Sequence, residues 1–218
     1  MNGTYLTLGL VGALAAAGVL GRRGSRSSRC PSDALVFYHG AQRWEGPPTI
    51  VTHRKGHAEH GPGLYLTTNW ETANRYAKGG GSVYRVSLLP EVRWAEDVKI
   101  SADEARAFVR SLPRLRGREA ILESLGRVEQ RSGPRMRLQW LVNMFVNQGA
   151  SAGQHGPSLA AFLTERGADA SLISHSVDED WVVVFNPQIV CNVRRLERGQ
   201  TSRQGFAFDL PKVARRPS

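Results

Sequence analysis

Cysteine is nearly absent from the 218 residues. Only Cys30 and Cys191 occur, with no CxxC and no Cys/His spacing of the kind that builds a zinc site. Cys30 lies in a polar stretch and Cys191 in an apolar, strand-like run, so the sequence neither requires nor excludes their pairing and leaves the redox compartment open. No acidic residue precedes Asp33, whereas Arg22, Arg23, Arg26 and Arg29 all do. No uncharged apolar run is longer than the segment from Tyr5 to Leu20. As a helix that run would span about 24 Å, short of the roughly 30 Å hydrocarbon core of a bilayer. A secretory signal carries its positive charges before the apolar stretch, and here they follow it. The run therefore reads as an N-terminal anchor whose basic end keeps the domain on the cytoplasmic side, with an atypical cleaved signal or a helix buried in an assembly as alternatives. No internal repeat is visible.

What is present suffices for one domain with a core: 41% of the residues are hydrophobic, spread along the chain. The net charge of +10 favours anionic partners such as NAD phosphates, nucleic acid or anionic lipid, without choosing among them. The apolar segment fills residues 1–23, and a flexible Ser/Arg linker covers 24–32. The folded domain is expected over 33–197, followed by a basic tail over 198–218. Within the domain, Ala34 to Tyr38, Gly63 to Leu66 and Ser82 to Leu89 read as strands, and Trp70 to Ala77 as a helix capped by Asn69. The middle third is helical: Ala102 to Ser111 with the Ser101-x-x-Glu104 capping box, Arg118 to Gln130, Arg135 to Asn147, and Ser158 to Arg166. Leu172 to Ser174, Trp181 to Phe185 and Ile189 to Val193 return to strand, giving an α+β domain with split strands around a helical middle.

Three segments carry chemistry. Val36-Phe37-Tyr38-His39-Gly40 is a buried strand ending in an imidazole beside an unhindered backbone. Gly61-Pro62-Gly63-Leu64-Tyr65-Leu66-Thr67 sets Tyr65 next to a tight turn, with Tyr76 eleven residues on, so that two rings can flank a flat heteroaromatic group. Asp178-Glu179-Asp180 directly precedes the apolar strand Trp181-Val182-Val183-Val184-Phe185, which puts a carboxylate at the rim of a buried sheet. Each segment taken singly also fits a core histidine, two core tyrosines or a solvated turn.

In combination they resemble the ADP-ribosyltransferase superfamily, in its His-Tyr-Glu branch shared by diphtheria-type toxins and poly(ADP-ribose) polymerases. Tyr38-His39-Gly40-Ala41, Gly61-Pro62-Gly63-Leu64-Tyr65-Leu66, Tyr76 and Asp180-Trp181 running to Phe185-Asn186 follow that branch's motifs in order, over about residues 34–196. The chain looks most similar to the ADP-ribosyltransferase-like domains of phage polyvalent proteins, through Val83-Tyr84-Arg85-Val86, Trp94-Ala95-Glu96-Asp97 and Val184-Phe185-Asn186-Pro187-Gln188-Ile189. The resemblance implies the ADP-ribosyltransferase fold, with split antiparallel sheets and a helical insertion between the second and third motifs. It implies NAD as co-substrate, no metal, and transfer of ADP-ribose, as a single unit, to a macromolecular acceptor, protein favoured over nucleic acid. His39 would meet the adenosine ribose, Gly40 backbone groups the nicotinamide carboxamide, and Tyr65 and Tyr76 the nicotinamide ring. Asp180 or Glu179 would hold the 2′-hydroxyl of the nicotinamide ribose. Two departures stand out. Ala41 replaces the usual Ser/Thr, and the acid's register is ambiguous, because counting back from Gln188 selects Asp180 whereas counting back from Phe185 selects Trp181.

The alternative reading is a non-enzymatic module of the same fold in a membrane or virion assembly, with membrane contact through residues 5–20; a secreted location is also open. A nucleic-acid-binding protein rests on charge alone. An RNA 2′-phosphotransferase is disfavoured, since its additional arginine signature is not evident. His53, His57 and His60 have helical metal-ligand spacings, but Gly56 and the Gly61-Pro62 break favour a basic loop over the pocket.

Overall fold

The computed structural model describes residues 30–48 and 59–196. The apolar run, His53, His57 and the basic tail lie outside these residues. Strands β1 (Leu35–Ala41), β2 (Leu64–Thr67), β3 (Ser82–Leu88), β6 (Ala170–Ser176), β7 (Glu179–Val184) and β8 (Val190–Arg195) form one sheet in the order β6-β7-β2-β1-β3-β8. The pairings between these strands are antiparallel. β4 (Lys99–Ser101) and β5 (Arg135–Arg137) make a separate two-stranded ribbon. Helix α1 (Trp70–Tyr76) follows β2, and α2 (Ala102–Ser111), α3 (Arg118–Ser132), α4 (Leu138–Asn147) and α5 (His155–Glu165) fill the stretch between β3 and β6. The protein is thus α+β, with a mostly antiparallel sheet and a helical middle.

The helix starts are written locally. Asn69 Oδ1 accepts the Thr72 N–H at 3.2 Å and opens α1. At α2 the Ser101 hydroxyl accepts the Glu104 N–H at 3.1 Å while the Glu104 carboxylate accepts the Ser101 N–H at 3.0 Å, completing the capping box. The expected helix from Arg135 does not begin there. Arg135, Met136 and Arg137 pair with Ser101, Ile100 and Lys99, and the helix starts at Leu138. Pairing buries Met136 against the helical core, and a continuous helix would forgo that ladder.

Two apolar clusters lie on opposite faces of the sheet. The helices pack Ile121, Leu125, Leu141, Phe145 and Leu159 against Val183 and Phe185, whereas Phe37, Leu66, Val86, Val182 and Val184 form the other cluster. Consecutive valines of β7 therefore serve different layers, as strand alternation requires. Tyr65 packs against the helical cluster and Leu64 against the other, so β2 is in phase with β7.

β1 and β2 pair through Tyr38 and Thr67 alone, whereas β1 matches β3 along its whole length. The sheet is continuous by a single rung at this point, and the parting of β1 from β2 opens it there. Cys30, just ahead of β1, is bonded to Cys191 on β8 with their Cα atoms 5.3 Å apart, tying together positions 161 residues apart.

Candidate active site

A cavity of about 450 Å³ opens where β1 and β2 part. His39 and Gly40 from β1, Tyr65 and Thr67 from β2, Thr72 and Tyr76 from α1, and Trp181 from β7 all line it. Its volume suits a small aromatic ligand or one half of a dinucleotide. Arg43 and Glu59 are the charged side chains on its wall among the described residues.

Backbone geometry sets how the β1 end meets α1. A Cβ on Gly40 would overlap the carbonyl oxygen of Ala73 and lie 2.9 Å from the Ala77 nitrogen, so glycine lets α1 lie directly on β1. That close approach brings Thr72 and Tyr76, one helical turn apart, to the cavity. Thr72 is buried, while Tyr76 is 58% exposed, leaving its ring accessible to a ligand.

His39 Nδ1 lies 2.7 Å from the Tyr65 carbonyl oxygen. A carbonyl only accepts, so Nδ1 carries the proton and the ring orientation is fixed by β2. Trp44 meets the His39 ring edge-on at 5.2 Å. The Tyr65 hydroxyl donates to the Gly61 carbonyl at 2.7 Å and accepts the His60 N–H at 3.1 Å. Burial pushes its pKa up to about 12, and the hydroxyl stays neutral. Tyr65 thus offers the cavity a ring whose polar end is tied to its own loop. Gly61 permits that loop with φ +111°, a backbone state disfavoured for residues with a Cβ.

The acidic cluster resolves into two faces. Thr67 stands opposite Trp181 in the β2–β7 register, and alternation places Glu179 on that same face. Glu179 is buried, and its Oε1 accepts from the Thr67 hydroxyl at 2.8 Å and the Trp181 indole N–H at 2.5 Å. Its Oε2 accepts from the Thr72 hydroxyl at 3.1 Å, and Arg75 in turn donates to that hydroxyl at 3.1 Å. The Glu179 carboxylate accepts from the hydroxyls of Thr67 and Thr72, two residues that line the cavity. Asp180 alternates to the other face, with its backbone paired to Thr68 and its strand partner Ser174.

His39, Gly40, Tyr65 and Tyr76 therefore share one cavity, Glu179 adjoins it, and Asp180 turns away. Sequence reasoning overlooked Thr67, Thr72 and Trp181 as the groups that orient Glu179. The signal was a period-two count: Tyr65 and Thr67 on one strand, Glu179 and Trp181 on the other. Around the Trp181 indole, His175 stacks at 4.3 Å and 16°, while His60 and Tyr76 approach edge-on at 5.3 and 6.4 Å. Burial, aided by the nearby His175, lowers the His60 pKa against the opposing pull of Glu59. No three His, Cys, Asp or Glu side chains among the described residues are grouped to hold a metal. No helix among them is long and apolar enough to cross a membrane.

Comparison with known proteins finds no matching family, no matching curated protein and no matching solved structure.

Proposed function

We propose that this chain adopts the ADP-ribosyltransferase fold and cleaves the nicotinamide–ribose bond of NAD, passing one ADP-ribose unit to a macromolecular acceptor, protein in preference to nucleic acid. One observation carries the reading. A single cavity gathers His39, Gly40, Tyr65 and Tyr76 beside a buried carboxylate, Glu179, held by three side-chain donors. Tyr65 and Tyr76 offer ring faces to the nicotinamide, and His39 is oriented to meet a ribose hydroxyl. Glu179 supplies fixed negative charge where positive charge develops on the ribose as nicotinamide departs, and a preorganised carboxylate needs no rearrangement to do so. Arg43 is the wall cation suited to the pyrophosphate.

The test is incubation of the protein with NAD labelled in the adenosine half, following nicotinamide release and label transfer to protein. Wild type is expected to do both, and Glu179→Gln to lose on the order of a hundredfold in release rate while still binding NAD. Absence of any nicotinamide release from wild type, with or without acceptor, would sink the reading.

A second reading, a non-enzymatic binding module of a membrane or virion assembly, draws on the engagement of the Glu179 carboxylate by the Thr67 and Thr72 hydroxyls. It expects NAD or a related ligand to bind without release of nicotinamide.

A further inference from the structure

Trp181, one of the three donors to Glu179, carries a stacked partner, His175, that the proposed chemistry leaves unused. Its indole N–H donates to Glu179 Oε1 at 2.5 Å, its ring meets Tyr76 edge-on at 6.4 Å, and its face is covered by His175 at 4.3 Å. His175 sits on β6 where the register with β7 shifts between Ser174 and Ser176. That irregularity gives β6 one extra residue opposite Glu179 and Asp180, and His175 is the extra residue. An exposed imidazole stacked nearly parallel on an indole restricts the indole's rotation about its side-chain torsions. The direction of the N–H follows from that ring plane, and with it the position of the carboxylate oxygen.

We propose that His175 and Trp181 are positioning residues for Glu179, the stacked pair holding the carboxylate in place and linking it to the Tyr76 ring. The inference rests on the reading of Glu179 as the acid of an NAD-cleaving site. His175 acts as a flat ring: Phe can replace it and Ala cannot. His60 braces the same indole from its edge at 5.3 Å.

The experiment uses the full chain and two readouts. The first is the NMR signal of the Trp181 indole proton, assigned by its disappearance in Trp181→Phe. It should lie downfield in wild type, move upfield in Glu179→Gln, move upfield in His175→Ala, and stay near wild type in His175→Phe. The second is NAD cleavage. Trp181→Phe and His175→Ala are expected to lower kcat about tenfold with KM for NAD little changed, and His175→Phe to restore most of it. An indole signal that does not respond to His175→Ala overturns the proposal, as does an unchanged kcat in that variant of an active enzyme. His175 is exposed, and loss of its ring leaves the core intact. Wild-type protein that cleaves no NAD refutes the functional reading, while the indole signal still decides whether the pair positions Glu179.

Discussion

The Thr67 hydroxyl donates to Glu179 Oε1 over 2.8 Å, joining β2 to the start of β7 across 112 residues of sequence. Thr67 also accepts the Asn69 N–H at 2.9 Å, so the same hydroxyl fixes the carboxylate and the turn into α1. The Glu179 carboxylate and the helix that carries Tyr76 are therefore set by one side chain. Thr67→Val removes the donor while keeping the shape. Leaving a buried carboxylate short of one partner costs about 1–3 kcal/mol, and denaturant unfolding should register that loss.

Glu179 and Asp180 are neighbours in sequence with opposite expected consequences. Asp180→Asn should keep nicotinamide release within about threefold of wild type, because that side chain lies on the face opposite Glu179 and does not line the cavity. Comparable losses in Asp180→Asn and Glu179→Gln, measured by chromatography of released nicotinamide, would contradict the pairing of Thr67 with Trp181 that sets the two faces.

Gly40→Ala should destabilise the protein by at least about 2 kcal/mol, because the added methyl meets the Ala73 carbonyl and forces α1 off β1. Thermal unfolding gives the magnitude. NAD affinity should fall alongside it, since α1 carries Thr72 and Tyr76 into the cavity.

Acid stability should depend on Asp169. Burial pushes its carboxyl up, but donation from Arg93 Nε and N–H at 3.1 Å and from Asn186 at 2.8 Å outweighs burial and holds it below the ordinary value. A depressed folded pKa means stability fully present above the unfolded value of about 3.9 and lost as pH falls through the folded one. The denaturation midpoint should drop below about pH 4, and Asp169→Asn should flatten that decline. At neutral pH, Asp169→Ala should cost about 1–3 kcal/mol, because it leaves the Arg93 backbone N–H and the Asn186 amide without their acceptor.

The Cys30–Cys191 bond joins positions 161 residues apart, and such closure contributes about 2–4 kcal/mol by limiting the unfolded chain. Reductant, or Cys191→Ser, should lower the thermal midpoint accordingly, and mass spectrometry without reductant should find the linked peptides.

The local rules were readable along the chain. Asn69 before Trp70, and Ser101 three residues ahead of Glu104, start their helices through side chains and amides within one turn of each other. The strand at Ser82–Leu88 and the order of His39, Tyr65 and Tyr76 were equally visible, although β3 is buried on both faces and does not alternate. Two matters were not. Arg135–Arg137 continues a helical periodicity, yet becomes strand because Lys99–Ser101, remote in sequence, offers it a ladder. The acidic cluster alternates in any register, so the chain alone specifies that Glu179 and Asp180 face opposite ways but not which of them shares the face of Tyr65 and Thr67. Pairing of Thr67 with Trp181 decides it for Glu179, since a slip of one residue would exchange the two faces.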